Sequence, residues 1–257
     1  MSGVKAITSR DNPLLQRVRR LGADPAAYRR LGEVWIEGEH LCTAYTARGG
    51  AVAQALISET GWQQAGLRSL ASAAAAVAVL PDALMAGLST LESAAPIGFI
   101  VPWAGSGELV GDQPSIVLDR LQDAGNVGNI LRSAAAFGVT QIIAIKGTAA
   151  LWSPKVLRAG MGAHFGLRLV EGVTDDALAT LAMPMLAASS HARHALYETM
   201  LPWPCAWVLG HEGQGISDAL MRRCADVLRI PQPGGEESLN VAAAAAICLY
   251  ESVRQRS

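Results

Sequence analysis

Residues 115–137 read SIVLDRLQDAGNVGNILRSAAAF. A short apolar run is followed by a loop of glycines and polar side chains, Asp119–Asn129, and then by helical periodicity over Val127–Phe137. This is the signature of a buried strand whose C-terminal loop opens a helix. The pattern recurs twice. Trp207–Leu209 leads through Gly210–Gly215 (GHEGQG) to a helical pattern at Asp218–Cys224, and Val227–Ile230 leads through Pro231–Asn240 (PQPGGEESLN) to one at Leu239–Val253. Apolar runs at Ile142–Ile145, Leu167–Val170 and Met185–Ala188, with a helical pattern at Asp175–Leu181, complete the alternation. Apolar strands between helices predict an α/β fold with a parallel sheet covered on both faces. Such sheets bind ligands beyond the carboxyl ends of their strands, where these three loops lie. Glycine there permits close backbone approach, and helix N-termini add free amide donors. Taken singly, each loop is an ordinary turn, with Asn126, Ser217 and Ser238 capping helices. Three on one sheet edge indicate a binding site. None has the form GxGxxG or GxxxxGK[ST], so a dinucleotide-dependent enzyme, one reading of such a sheet, lacks its fingerprint.

Upstream, Trp103–Pro114 (WAGSGELVGDQP) has no apolar periodicity, and residues 104–113 read as a linker between domains at 1–103 and 114–257. The first domain alternates as well. Val34–Ile36, Ala55–Ile57, Val77–Leu80 and Ile97–Val101 are predicted strands, and Gly38–Arg48 and Pro81–Leu91 predicted helices. Asn12 and Pro13 open a further helix with Leu14, Val18 and Leu21 on one face. The formal net charge of −1 hides an asymmetry: residues 1–30 hold seven basic side chains against two acids, whereas residues 31–111 hold two against seven. Arg10, Arg17, Arg19, Arg20, Arg29 and Arg30 are candidate phosphate contacts in a nucleic-acid partner. With aromatics at 5%, recognition by RNA shape and backbone is expected rather than a stacking platform.

At 51% hydrophobic and 17% charged, the composition excludes disordered and fibrous classes. Cys42, Cys205, Cys224 and Cys248 lie far apart, as expected of reduced thiols in a cytoplasmic protein. The N-terminus has no apolar signal region, and Leu70–Leu88 is broken by Pro81 and Asp82, so no membrane partner is expected. His191-x-x-His194 has ligand spacing but no neighbouring Cys or carboxylate to complete a metal site.

The three loops, in this order, resemble the signature motifs of SpoU/TrmH-type RNA methyltransferases of the SPOUT superfamily. The matching residues are Asn126-x-Gly128-x-x-x-Arg132, then Leu209-Gly210-x-Glu212-x-x-Gly215, then Ile230-Pro231 with Glu237-Ser238-Leu239-Asn240-Val241. Ser9-Arg10-x-Asn12-Pro13 and Glu37-Gly38-Glu39-His40-Leu41 are similar to the substrate-binding domain often fused to that family, itself like small α/β ribosomal proteins that bind RNA. Gln232 and Asn129 depart from the usual Met and small residue. The resemblance implies a deep C-terminal trefoil knot, a pocket for S-adenosylmethionine, a homodimer, and methyl transfer to a ribose 2′-hydroxyl. The fused N-terminal domain favours ribosomal over transfer RNA. A non-catalytic RNA-binding protein keeping the fold is the alternative.

By the same resemblance Arg132, Asn126, Glu212, Ser238 and Asn240 form the catalytic set, and Leu209, Gly210, Ile230, Pro231 and Leu239 line the cofactor pocket, with Gly210 allowing close approach. A guanidinium keeps its proton far above neutral pH, which favours Arg132 as a holder of phosphate and developing alkoxide charge over the proposed general base. Asn126 and Asn240 are expected to position Arg132 and the ribose through their amides. Glu212 is expected to pair with an arginine or accept a proton, and Ser238 to hydrogen-bond the reacting hydroxyl. The chemistry calls for no metal. The almost wholly apolar helix over Leu239–Val253 suits a core or a dimer interface.

Overall fold

The computed structural model describes residues 3–89, 93–234 and 239–256. Two compact units divide the chain: Met1–Gly105 with Trp152–Phe165, and Ser106–Leu151 with Gly166–Ser257. The glycine-rich stretch read as a linker is anchored at both ends. In the first unit Trp103 donates its backbone N–H to Gly32 O and meets the Tyr28 ring edge-on. In the second, the fully buried amide of Gln141 exchanges two hydrogen bonds of 2.9 Å with the Val110 backbone.

The first unit runs β1 (Gly3–Ala6), α1 (Pro13–Ala23), α2 (Ala27–Leu31), β2 (Glu33–Glu37), α3 (Glu39–Thr46), β3 (Gln54–Ser58), α4 (Glu59–Gln63), α5 (Ala65–Ala71), β4 (Ala76–Leu80), α6 (Asp82–Ala86) and β5 (Ile97–Pro102). Its sheet has the order β1-β4-β3-β5-β2, with β2 and β5 antiparallel and β1, β3 and β4 parallel. Asn12 caps α1 by accepting from Leu14 N at 2.9 Å, and Leu15, Val18 and Leu21 are its buried face. Gly98 on β5 is required by its neighbour: a Cβ there would overlap the Trp35 indole, which lies across the strand. The segment Trp152–Phe165, which the sequence reading places in the second domain, packs in this unit. Phe165 meets Tyr45 edge-on, and His40 Nε2 lies 3.2 Å from Met161 O. Within it α8 (Pro154–Gly160) is capped by Ser153.

The second unit comprises β6 (Ser115–Asp119), α7 (Ala124–Ala136), β7 (Gln141–Ile145), β8 (Arg168–Val173), β9 (Met185–Ala188), β10 (His194–Ala195), β11 (Ala206–Gly210), α9 (Asp218–Met221), β12 (Asp226–Arg229) and α10 (Val241–Arg254). All seven strands are parallel, in the order β10-β12-β9-β11-β6-β7-β8. Side chains along β6 and β7 are buried throughout, as a sheet covered on both faces demands. The stretch expected as a helix at Asp175–Leu181 is a 3-10 turn over Asp175–Thr180. Trp207 at the centre of β11 is 1% exposed and donates its indole N–H to Ser252 Oγ on α10 at 3.0 Å, fixing that helix to the sheet. α10 in turn packs along α7.

Candidate active site

Asp119 and Gly210 stand opposite one another at the carboxyl ends of β6 and β11, so the first two motif loops leave the sheet side by side. Asp123, not Asn126, caps α7, accepting Asn126 N at 2.7 Å. That choice frees the Asn126 amide. Its Nδ2 donates to Glu212 Oε1 at 3.2 Å, and its Oδ1 accepts from Asn240 Nδ2 at 2.9 Å. Asn240 is itself the cap of α10, its Oδ1 accepting from Ala242 N and Ala243 N. Three loops that are distant in sequence are thus joined through three side chains.

Glu212 completes the joint. Its two carboxylate oxygens accept the backbone N–H groups of Gln122 and Asp123, both at 3.1 Å, besides the Asn126 amide. Partial burial pushes this carboxyl upward, but the donated hydrogen bonds outweigh it and hold it below the ordinary range. The sequence reading expected an arginine partner or a proton for Glu212, and amide contacts from Asn126 and Asn240 to Arg132. Neither of those contacts is formed among the described residues: Glu212 accepts backbone and amide N–H groups, and the Asn126 and Asn240 amides meet each other and Glu212.

Arg132 lies on α7 with an exposed side chain, and among the described residues its guanidinium has no hydrogen bond or ion pair. It lines an open depression of about 430 Å³ together with Asn129, Ser133, Phe137, Asn240 and Ala243. Phe137 and Asn129, like Asp119, Gln122 and Asp123, carry no role in the sequence reading. The acidic residue three positions before Asn126 was the available signal for the cap.

Of the residues assigned to the cofactor, Leu209 is buried, 3% exposed. Gly210 is glycine for a local reason: a Cβ there would overlap the backbone of Gly215 and Ile216. The loop turns back at that point, with Gly215 N donating to His211 O and the His211 imidazole accepting from Gly213 N and Gln214 N. Ile230 and Pro231, just beyond β12, are half-buried, and Leu239 is 38% exposed. The adjoining Gln232 has a buried Oε1 with no hydrogen-bond partner. Ser238 lies outside the described residues.

The six arginines are not equivalent. Arg17 pairs with Glu33 at 3.3 Å, Arg30 with Asp24, and Arg19 reaches the backbone oxygen of Arg10. Arg29 stacks on Tyr28. Arg10 and Arg20 are exposed, and their guanidinium groups have no partner among the described residues. His191 and His194 are exposed, and no group of three or more potential metal ligands occurs among the described residues. No helix there is long and apolar enough to cross a membrane. All four thiols are free, and burial pushes Cys205 and Cys248 up to about 12 and Cys224 to about 11.

Residues 113–250 match the SpoU rRNA Methylase family. A Synechocystis protein named as an uncharacterized tRNA/rRNA methyltransferase is 30% identical, over 99% of this chain and 96% of its own. The 23S rRNA (guanosine-2′-O-)-methyltransferase RlmB of Vibrio parahaemolyticus is 36% identical over 55% of this chain, a match spanning 59% of that enzyme. Among solved structures, an RNA 2′-O ribose methyltransferase superposes with a TM-score of 0.82 at 28% identity, covering 98% of this chain and 99% of that one. AviRb of Streptomyces viridochromogenes, crystallised with AdoMet, shares the fold at a TM-score of 0.86 and 24% identity, over 95% of this chain and 98% of its own. With the motif loops joined as described and the family match covering more than half its length, the chain belongs to the SpoU rRNA methylase family.

Proposed function

We propose that the chain is an S-adenosylmethionine-dependent methyltransferase acting on a ribose 2′-hydroxyl of ribosomal RNA in the cytoplasm. The observation that carries this reading is the Asn126–Glu212–Asn240 joint, which holds the three motif loops together while Arg132 stays unspent at their edge. The cofactor supplies a methyl carbon made electrophilic by its positively charged sulfur. Residues near the carboxyl ends of β11 and β12 fit its adenosine. Ile230, Pro231 and Leu239 offer apolar surface, the backbone of Leu209 and Gly210 offers polar groups, and the orphaned Gln232 Oε1 is an acceptor for an exocyclic amine.

An alcohol is a weak nucleophile, so the site must orient it and stabilise charge as its proton leaves. Arg132 does so by holding a neighbouring phosphate and the developing alkoxide. Glu212, ionised and already accepting three hydrogen bonds, positions the loops rather than taking a proton. Ser238 hydrogen-bonds the reacting hydroxyl. The reading carries with it the family's C-terminal trefoil knot, a rare connection. The homodimer forms over α7 and α10, where Ile247 and Tyr250 are 39% and 56% exposed next to Phe137. The first unit, Met1–Gly105 with Trp152–Phe165, is the RNA-binding domain, with Arg10 and Arg20 as its available phosphate contacts.

The test is transfer of labelled methyl from S-adenosylmethionine to ribosomal RNA, with digestion to nucleosides. A 2′-O-methylnucleoside that disappears with a folded Arg132→Ala variant is expected. Label on a base overturns the assignment of the 2′-hydroxyl, and RNA binding without transfer identifies a non-catalytic binding protein.

A further inference from the structure

A second cavity, of about 370 Å³, lies where β6, β7 and β8 end, lined by Asp119, Arg120, Lys146, Thr174, Asp175 and Ser217. Its walls are tied on every side. Gln122 Nε2 donates to Gly147 O, Thr148 Oγ1 to Leu118 O at 3.0 Å, and Ala149 N to Leu121 O at 2.8 Å, so the loop after β7 is bound to the loop after β6. Lys146 N donates to Val173 O at the end of β8, while Arg223 holds the opposite wall through Asp175 O and the Asp176 carboxylate. Arg120 has φ of 58°, a left-handed conformation that side chains disfavour, and the loop after β7 turns at Gly147 with φ of 100°, which favours glycine.

The charges around this cavity divide into spent and unspent. Asp119 is 1% exposed on its side chain, and it accepts Arg120 Nε and Ser217 N, each at 2.7 Å. Arg120 also reaches Gln214, so this pair is neutral and committed. The Lys146 ammonium has no partner among the described residues; the Asp175 carboxylate is within electrostatic reach of Arg120 but accepts no hydrogen bond there, and it does not pair with Lys146. A simple anion drawn by Lys146 meets Asp175, and a simple cation meets Lys146. A ligand satisfying both has an anionic group at one point and an N–H or O–H donor at another, with a further polar atom for Thr174; Ser217 is spent on Asp119 and on capping α9. A nucleotide within an RNA chain has that chemistry: phosphate for the lysine, and a ribose hydroxyl or base N–H for the carboxylate.

We infer that this cavity seats a nucleotide of the RNA substrate flanking the one that is methylated. Its place in the sheet argues the same way. In the order β12-β9-β11-β6-β7-β8 its Lys146 and Asp175 walls lie on the far side of β6 from the strands assigned to the cofactor, while Ser217, which follows β11, closes its near side. Strands are about 4.8 Å apart, so β7 and β8 end roughly 5–10 Å beyond β6, a step or two along an extended RNA strand. The inference rests on the RNA methyltransferase reading and adds a substrate subsite to it.

The test uses the full chain with ribosomal RNA transcripts, and reads methyl transfer and RNA affinity across a salt series beside calorimetric titration with S-adenosylmethionine. Lys146→Ala is expected to weaken RNA binding about tenfold and to reduce the slope of log affinity against log salt by about 0.7–0.9, the loss of one phosphate contact. Asp175→Asn is expected to weaken RNA binding several-fold, as roughly one hydrogen bond to a charged group does, with the slope unchanged. Both variants are expected to bind the cofactor as the wild type does, which also shows that they are folded. An unchanged affinity and slope for Lys146→Ala overturns the proposal, as does a loss of cofactor affinity in its place. A wild type that neither binds nor methylates RNA overturns the methyltransferase reading itself.

Discussion

Asn240 performs two tasks with one side chain, and a single substitution separates them. Its Oδ1 caps α10, and its Nδ2 donates to Asn126. Asn240→Asp keeps an oxygen at the cap, where aspartate caps as well as asparagine and its charge is favourable at a helix N-terminus. It removes the donor toward Asn126. Asn126 cannot recover by turning its amide over, because its oxygen would then face the Glu212 carboxylate. Asn240→Ala loses both tasks and is expected to cost about 1 kcal/mol of stability, roughly 2–4 °C in Tm. Asn240→Asp keeps the cap but sets a carboxylate oxygen against Asn126 Oδ1, so it is expected to melt below the wild type and above the alanine variant. One lost hydrogen bond of about 1.4 kcal/mol, if realised in the transition state, corresponds to a tenfold fall in methyl transfer. Thermal denaturation of the three proteins, with single-turnover transfer to ribosomal RNA, reads both quantities. An aspartate variant with wild-type turnover removes the amide joint from the mechanism, and one that melts as low as the alanine variant refutes the separation of roles.

Three further outcomes are expected. Gly98→Ala places a methyl group where the Trp35 ring lies, and overpacking of this kind costs about 1–3 kcal/mol, so denaturant titration should show a loss that Trp35→Leu in the same chain partly restores. Non-additivity of the two substitutions is the measure, and simple addition would disprove the contact. Arg10→Ala with Arg20→Ala should lower RNA affinity and its salt slope more than Arg17→Ala with Arg30→Ala, since the latter two are spent on Glu33 and Asp24; equal losses in the two double variants would contradict that ranking. Arg254, and then Gln255, hold the Glu251 carboxyl down to about 2. A depressed folded value gives stability that is complete above the unfolded value of about 4.3 and is lost as pH falls toward the folded one. Glu251→Gln should therefore flatten the acid side of the stability curve between about pH 4.3 and 2, and an unaltered curve would show that the pair contributes nothing.

The strands were legible because burial on both faces leaves an unbroken apolar run, as in Ile142–Ile145, and glycines with polar side chains mark where such runs end. β1 was not legible: its four residues GVKA are all exposed, and it exists by pairing in parallel with β4. Asp175–Leu181 has helical spacing but only one buried side chain in the 3-10 turn, Leu178, too little to hold a full helix against the local geometry. The motif loops declared their residues but not their partners. Asn126 looked like a cap because asparagine caps helices, yet Asp123 has the same competence three positions earlier and takes that place. What asparagine adds over aspartate is a donor, and only a neighbour from another loop reveals why a donor is needed. Glu212 is 86 residues from Asn126, and Asn240 is 114. No periodicity spans such intervals. The same argument explains Arg132. An arginine on a helix with apolar neighbours reads as a solvated surface, and by exposure it is one. Its distinction is relational: Asn126, Glu212 and Asn240 bond to one another, and the Arg132 guanidinium beside them has no partner among the described residues.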